Sequence, residues 1–229
     1  MEKRTKRVAL IVAAGQGKRF GGAVSKQFVE VGGRPLLWYT LTAFERCPDI
    51  DEILVILPAG ELGERTAEIA AWGLTKFCAA VAGGKERHDS VFNGLQALSS
   101  QAGLVAIHDG ARPLITPELI SACLRAAEEC GAAFAGIAPK DTIKEVEGGL
   151  VTATLDRRRL VLVQTPQVFR VDLVRHAYDS AFERGAFSTD DAALVEALGH
   201  PVRVVPGDYR NLKVTSPEDL IFVNALLEP

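Results

Sequence analysis

Four short stretches carry the residue types that handle phosphates. The first is Ala13-Ala14-Gly15-Gln16-Gly17-Lys18-Arg19, which follows the apolar run Val8 to Val12 and precedes Lys26. Glycines let backbone N–H groups approach phosphate oxygens, and the Lys and Arg side chains supply positive charge. The segment departs from the common phosphate loops. A P-loop needs Ser or Thr after its Gly-Lys to hold magnesium, and Arg19 stands there instead. A dinucleotide fingerprint needs a small residue where Phe20 stands, and no acidic residue closes a second strand at the expected distance. A strand, a glycine turn with Arg19, and then Lys26 suit a nucleoside triphosphate whose phosphates are to be attacked. A plain tight turn with solvated cations is the alternative that this segment alone leaves open.

The other stretches are Gly83-Gly84-Lys85-Glu86-Arg87-His88-Asp89-Ser90, His108-Asp109-Gly110-Ala111-Arg112-Pro113 and Asn211-Leu212-Lys213-Val214-Thr215. An Asp-Gly after a buried strand puts the Asp109 carboxylate at a sheet edge, where it can hold magnesium or ligand hydroxyls. The bland reading is a turn-forming Asp paired with Arg112. His108 beside Asp109 suggests a catalytic pair, but adjacent strand residues point to opposite faces, so His108 reads as a buried structural residue. No Gly-x-Ser-x-Gly elbow is present, which sets hydrolytic triads aside.

These stretches need strands to end at one place. Short apolar runs at Val8–Val12, Ile53–Leu57, Cys78–Ala82, Leu104–His108 and Ala133–Ala138 read as strands. Helical periodicity covers Leu36–Arg46, Glu61–Trp72, Arg87–Leu98 and Glu118–Glu129. Thr116-Pro117 is a helix start signal, and Ser216-Pro217 repeats it. Alternation of near-continuous apolar strands with helices implies an α/β fold, a parallel sheet covered on both faces, with ligands beyond the strands' carboxyl ends. From Thr142 to Leu155 the pattern changes to two short β runs about Gly148-Gly149, a hairpin. A lone hairpin is barely stable in water, so it packs against another subunit or folds back on its own sheet.

The 229 residues suit a single domain with this arm, residues 140–158. A net charge of −3 argues against a nucleic-acid or membrane-surface binder, while the local clusters Lys18-Arg19 and Arg157-Arg158-Arg159 suit a small anion. The four cysteines form no CxxC pair and read as buried apolar residues of a reducing compartment. Neither a signal peptide nor a long apolar segment is apparent, so the expected location is the cytoplasm.

Taken together, the motifs resemble the 2-C-methyl-D-erythritol 4-phosphate cytidylyltransferases of the non-mevalonate isoprenoid pathway. The resemblance runs from Ala13 to Thr215: Ala13 to Arg19, Lys26-Gln27, Gly83-Gly84 with Arg87, Asp89, Ser90 and Val91, His108-Asp109 with Ala111-Arg112-Pro113, Asp141-Thr142 with Lys144, Asp156-Arg157, Thr165-Pro166-Gln167, Thr189-Asp190, and Asn211 with Lys213-Val214-Thr215. Each motif alone is weak, but all of them in order are specific. The family joins the cytidylyl group of CTP to methylerythritol phosphate and releases pyrophosphate. The resemblance implies a Rossmann-like, mostly parallel nucleotidyltransferase (glycosyltransferase-A-like) fold and a homodimer whose arms reach into the neighbouring subunit.

It also implies roles. Arg19 and Lys26 stabilise the α-phosphoryl transition state, and Lys213 and Arg157 position the phosphate of the alcohol. Ala13, Ala14, Gly15, Gly17, Gly84, Lys85 and Ser90 surround the nucleotide. Asp109 and Gly110 contact ribose and substrate, and Arg112, Thr142, Thr165 and Thr189 contact methylerythritol phosphate. Mg²⁺ is implied by the triphosphate, with Asp109 its one candidate carboxylate. Three positions depart from the family: Ser25 replaces a frequent proline and is expected to loosen the Lys26 loop, Arg210 replaces an acid and makes the field around Lys213 more positive, and Lys85 replaces an acid in a backbone contact. The rival readings are a ribitol 5-phosphate cytidylyltransferase of the same chemistry, a nucleotide-binding protein without turnover, and, more remotely, a dehydrogenase. Ala13-Ala14 and Asp156-Arg157 favour methylerythritol phosphate, and converging cations argue against simple binding.

Overall fold

The computed structural model of the chain describes residues 5–15 and 25–227. In chain order the elements are β1 (Lys6–Val12), β2 (Glu30–Val31), β3 (Arg34–Pro35), α1 (Leu36–Arg46), β4 (Glu52–Leu57), α2 (Leu62–Ala70), β5 (Phe77–Ala82), α3 (Arg87–Ala97), β6 (Ala102–Asp109), α4 (Pro117–Cys130) and β7 (Ala132–Ile137). There follow β8 (Lys144–Glu147), β9 (Leu150–Thr154), β10 (Leu162–Arg170), α5 (Val171–Arg184), α6 (Asp191–Glu196), β11 (Arg203–Pro206) and α7 (Pro217–Leu227).

Seven strands form one sheet in the order β11-β7-β10-β6-β1-β4-β5. β10 is antiparallel to both of its neighbours, and the other pairs are parallel. The apolar runs are continuous because both faces of the sheet are covered. Val8 and Leu10 of β1 point into a core with α3, α5 and α6, while Ala9 and Ile11 point into a second core with α1 and α4. Burying one Leu or Ile side chain is worth about 1.5–3 kcal/mol, so these two layers hold the sheet flat against its helices. α4 begins as its sequence signals: the Thr116 hydroxyl accepts from the Leu119 N–H, Pro117 occupies the first turn, and Gly131 ends the helix at φ +88°.

Register brings the site together. Val12 pairs with both Ile56 and Asp109, and Leu57 pairs with Ala82. The loops after β1, β4, β5 and β6 therefore leave one edge of the sheet side by side.

The expected hairpin is present and stands apart from this sheet. β8 and β9 pair only with each other, across Gly148 and Gly149 at φ +56° and +82°. A two-residue turn with positive φ at both positions matches the strand twist, and glycine adopts it without strain. Val146, Leu150 and Val151 of this arm are exposed. Among the described residues no helix is long and apolar enough to cross a membrane.

Candidate active site

Asp109 ends β6 and is 7% exposed. Three cations ring its carboxylate: Lys213 Nζ at 2.8 Å, Arg112 Nε at 3.6 Å and Arg87 Nε at 3.8 Å. Burial by itself would raise the Asp109 pKa, but Lys213, Arg87 and Arg112 overcome it and hold the group well below the usual carboxylate range. Asp109 thus pairs with Arg112, as the turn reading expects, at the same sheet edge as Lys213 and Arg87. Lys213 is held by its neighbour. Val214 is fully buried among Val31, Leu36 and Val223, and its N–H donates to the Ala111 carbonyl at 2.8 Å. Arg112 Nη1 donates to the Asn211 carbonyl at 2.7 Å, and buried Asn211 donates through Nδ2 to the Thr165 carbonyl at 2.9 Å.

His108 is structural. Its Nδ1 meets the Thr165 hydroxyl at 3.0 Å, and Thr165 Oγ1 also accepts the Asp109 N–H at 3.1 Å. Burial pushes the imidazole down to about 3, so it is neutral in the fold. The unfolded chain then binds one more proton than the native chain between that value and about 6.5, and stability falls as pH drops through this window by about 1.4 kcal/mol per unit. His108→Gln is expected to remove this slope. Urea denaturation at pH 6.5 and 5 should show a wild-type loss larger than the variant's by about 2 kcal/mol, whereas equal losses would mean His108 titrates normally.

A cleft of about 670 Å³ opens over the glycine loops, lined by Ala14, Gly15, Lys26, Gly84, Lys85, Ser90 and Asp109 among others. Close packing explains two of the glycines. A Cβ on Gly83 would lie 2.3 Å from the Ala14 side chain, and one on Gly84 would lie 2.2 Å from Asp89 Cβ. Ser90 Oγ accepts the Gly84 N–H and donates to the Glu86 carbonyl, both at 3.0 Å, so it shapes the turn. Lys26 sits in a single 3-10 turn, Lys26–Phe28, and its Nζ donates to the Val214 carbonyl at 2.7 Å. Lys26 and Lys213 therefore approach one another from opposite ends of the chain.

Ser25, expected to loosen the Lys26 loop, is itself hydrogen-bonded. Ser25 Oγ donates to Glu61 Oε1 at 2.7 Å, Arg65 Nε donates to Glu61 Oε2 at 2.9 Å, and the Arg65 guanidinium lies over the Phe28 ring at 4.1 Å. A hydrogen-bonded tether replaces proline's rigidity. Ser25→Ala is expected to cost about 1 kcal/mol of that tether, a fall of about fivefold in kcat with melting temperature little changed. An unchanged kcat would show the tether to be idle. Arg210 Nη2 donates to the Leu226 carbonyl at 3.2 Å, which ties its guanidinium to the last turn of α7.

A second, smaller cavity of about 270 Å³ adjoins the first, lined by Arg112, Gln164, Thr165, Gln167, Thr189 and Asp190. Arg87, Asp109 and Lys213 line both, so they form the common wall. Ala13 and Gly110 are fixed behind that wall, the Ala13 N–H donating to the Ile56 carbonyl at 2.8 Å and the Gly110 N–H to the Val12 carbonyl at 2.9 Å. Thr142 and Arg157 are exposed on the arm and line neither cavity, and the Arg157 guanidinium donates to the Lys140 carbonyl. Gly17 and Arg19 lie outside the described residues.

The sequence reading named Arg87 and Gln167 in its motifs without giving them a site role, although both line a cavity, and it did not single out Asp191, which is buried beside them. The signal available was position: Arg87 opens the helix after the Gly83-Gly84 turn, and Asp191 follows Thr189-Asp190. Among the described residues no cluster of three or more His, Cys, Asp or Glu side chains could by itself hold a metal. A single carboxylate is still a fitting donor set for Mg²⁺ carried by phosphates, because that ion keeps waters and takes one or two protein carboxylates.

Comparison with known proteins agrees with this geometry. The family described as IspD, 2-C-methyl-D-erythritol 4-phosphate cytidylyltransferase, matches residues 7–229. The enzyme of that name from Syntrophotalea carbinolica is 48% identical over 221 residues, covering 96% of this chain and 95% of its own. The crystal structure of 4-diphosphocytidyl-2C-methyl-D-erythritol synthase from Anaerococcus prevotii superposes with a TM-score of 0.88 at 32% identity, covering 98% of this chain and 97% of that one. The Thermus thermophilus cytidylyltransferase gives 0.80 at 36% identity, covering 96% and 98%.

Proposed function

The chain belongs to the 2-C-methyl-D-erythritol 4-phosphate cytidylyltransferase family, and from that membership we propose that its two adjoining cavities carry the two substrates of the family reaction. CTP occupies the larger cleft, with its phosphates toward Lys26, and methylerythritol phosphate occupies the smaller one. A phosphate oxygen of the alcohol attacks the α-phosphorus of CTP. The new P–O bond forms as the bond to pyrophosphate breaks, and no net proton transfer is needed. The observation that carries this reading is the shared wall of Arg87, Asp109 and Lys213 between the cavities.

The chemical difficulty is charge. Two unit charges about 4 Å apart repel by about 4 kcal/mol at an effective dielectric near 20, and more charge gathers on the α-phosphoryl group in the transition state. Fixed cations answer that need through positioning and electrostatics. Arg19 and Lys26 would face the α-phosphoryl group, and Lys213 would hold the attacking phosphate. Ala13, Ala14, Gly15, Gly17, Gly84, Lys85 and Ser90 would enclose the nucleotide, with Asp109 and Gly110 at its ribose. Arg112, Thr165 and Thr189 would surround the second substrate. Mg²⁺ would be held by Asp109 and the triphosphate, neutralising phosphate charge. The arm would deliver Arg157 and Thr142 to a second subunit of a homodimer, and the enzyme would act in the cytoplasm.

The division of labour is tested by Thr189→Val. Losing one hydrogen bond to a charged group should raise the Michaelis constant for methylerythritol phosphate by about tenfold. The constant for CTP should not move. A change confined to CTP would reverse the assignment of the cavities.

A further inference from the structure

The wall residue Arg87 also forms an ion pair that has no part in the residue roles above. Arg87 stands on the first turn of α3, just after the Gly83-Gly84 turn of the nucleotide cleft. Asp191 opens α6, directly after the Thr189-Asp190 rim of the second cavity, and is fully buried. Arg87 Nη1 and Nη2 donate to the two Asp191 oxygens at 2.8 and 2.7 Å. The Tyr178 hydroxyl donates to Asp191 Oδ1 at 2.5 Å. Gln167 Oε1 accepts the N–H groups of Asp191 and Ala192 at 3.0 and 2.9 Å, and Gln167 Nε2 donates to Asp190 Oδ2 at 2.9 Å. A second link lies outside this network: the His88 ring stacks on Phe187 at 3.8 Å and 10°.

Stability alone does not call for such a pair. Desolvation offsets most of a buried pair's attraction, and apolar residues of similar volume would hold α3 against α6 about as well. A bidentate pair adds angular definition, because the guanidinium fork and the carboxylate fix each other's plane. Here the two elements it joins are the rims of different cavities. Arg87 Nε lies 3.8 Å from Asp109 Oδ1 in the wall between them.

We propose that Arg87 and Asp191 are positioning residues for the transfer, a bolt that holds the Thr189-Asp190 rim in register with the nucleotide cleft and so aligns the attacking phosphate on CTP. The inference rests on the assignment of the second cavity to methylerythritol phosphate. Misalignment by about 1 Å in such a site costs about a hundredfold in rate. Arg87 and Asp191 thus act on catalysis without touching the reacting atoms.

The test is the double variant Arg87→Gln with Asp191→Asn. It leaves an uncharged amide pair that can still hydrogen-bond, keeps an acceptor for Tyr178, and strands no buried charge, so it should fold where either single variant need not. Three quantities are measured beside the melting temperature: the CTP dissociation constant without the second substrate, the Michaelis constant for methylerythritol phosphate, and kcat. The expected result is kcat/KM for methylerythritol phosphate lower by at least about tenfold, with any loss of CTP affinity well below that. A folded double variant with normal kcat/KM overturns the proposal, as does a loss of CTP affinity equal to the loss for the alcohol. If Thr189→Val raises the alcohol's Michaelis constant and the double variant does not, this inference alone falls. If neither variant moves it, the assignment of the second cavity falls with it.

Discussion

Lys213→Ala should lower kcat/KM by about 10²–10³-fold while the protein stays folded, the usual cost of removing one preorganised charge from a transition state. The two halves of this expectation have separate causes. The Lys213 side chain is 40% exposed, and its segment is anchored by buried Val214 and the Val214 N–H bond to Ala111, which the substitution leaves intact. Asp109 keeps Arg87 and Arg112 as neighbours, so no buried charge is orphaned. What disappears is the cation in the wall common to both cavities. Circular dichroism and melting temperature should match wild type, and steady-state kinetics should show the loss mainly in kcat. A near-normal kcat would remove phosphate positioning from the account.

Arg157→Ala and Lys26→Ala should each cost about a hundredfold on their own, and mixing the two variants should restore activity to about a quarter of wild type. The reason lies in the arm. Arg157 sits just beyond β9, and neither it nor Thr142 lines either of the two adjoining cavities of its own chain. The arm's two strands pair only with each other and expose Val146, Leu150 and Val151. A lone hairpin of this kind is marginal in water and gains stability by burying such residues against another surface. If that surface belongs to a second subunit, a heterodimer has one site with Lys26 and a partner-supplied Arg157, and one site lacking both. Random pairing then gives about a quarter of the sites intact. Mixing requires dissociation and reassociation, followed by mass measurement to show that heterodimers formed. Heterodimers without recovered activity would contradict a shared site.

The strands of the parallel half were legible because burial on both faces leaves them continuously apolar, as in Ile53–Leu57 and Leu104–His108. The arm was legible because Gly148-Gly149, set between two short β runs, suits the positive-φ turn of a two-residue hairpin. β10 was not. Pro166 has no N–H to donate, and the ladder to β7 is interrupted between Val163 and Gln167, so polar Gln164-Thr165-Pro166-Gln167 does not read as a strand. That interruption turns Gln164 and Thr165 toward Asn211 and His108. Of the site, the residues on strand ends and glycine loops were visible from local pattern. The pairing of Arg87 with Asp191 was not, because their contact spans 104 positions and no local pattern joins the Gly83–Ser90 stretch to the start of α6. The Ser25–Glu61 tether spans 36 positions and escaped for the same reason.

The two cavities that meet at Arg87, Asp109 and Lys213 are proposed to join CTP to methylerythritol phosphate. The direct measurement is pyrophosphate release from CTP and Mg²⁺, with methylerythritol phosphate and ribitol 5-phosphate supplied in separate reactions. Release is expected with methylerythritol phosphate and not with ribitol 5-phosphate. Release with ribitol 5-phosphate alone would contradict the substrate assignment, and release with neither would contradict the enzymatic reading altogether.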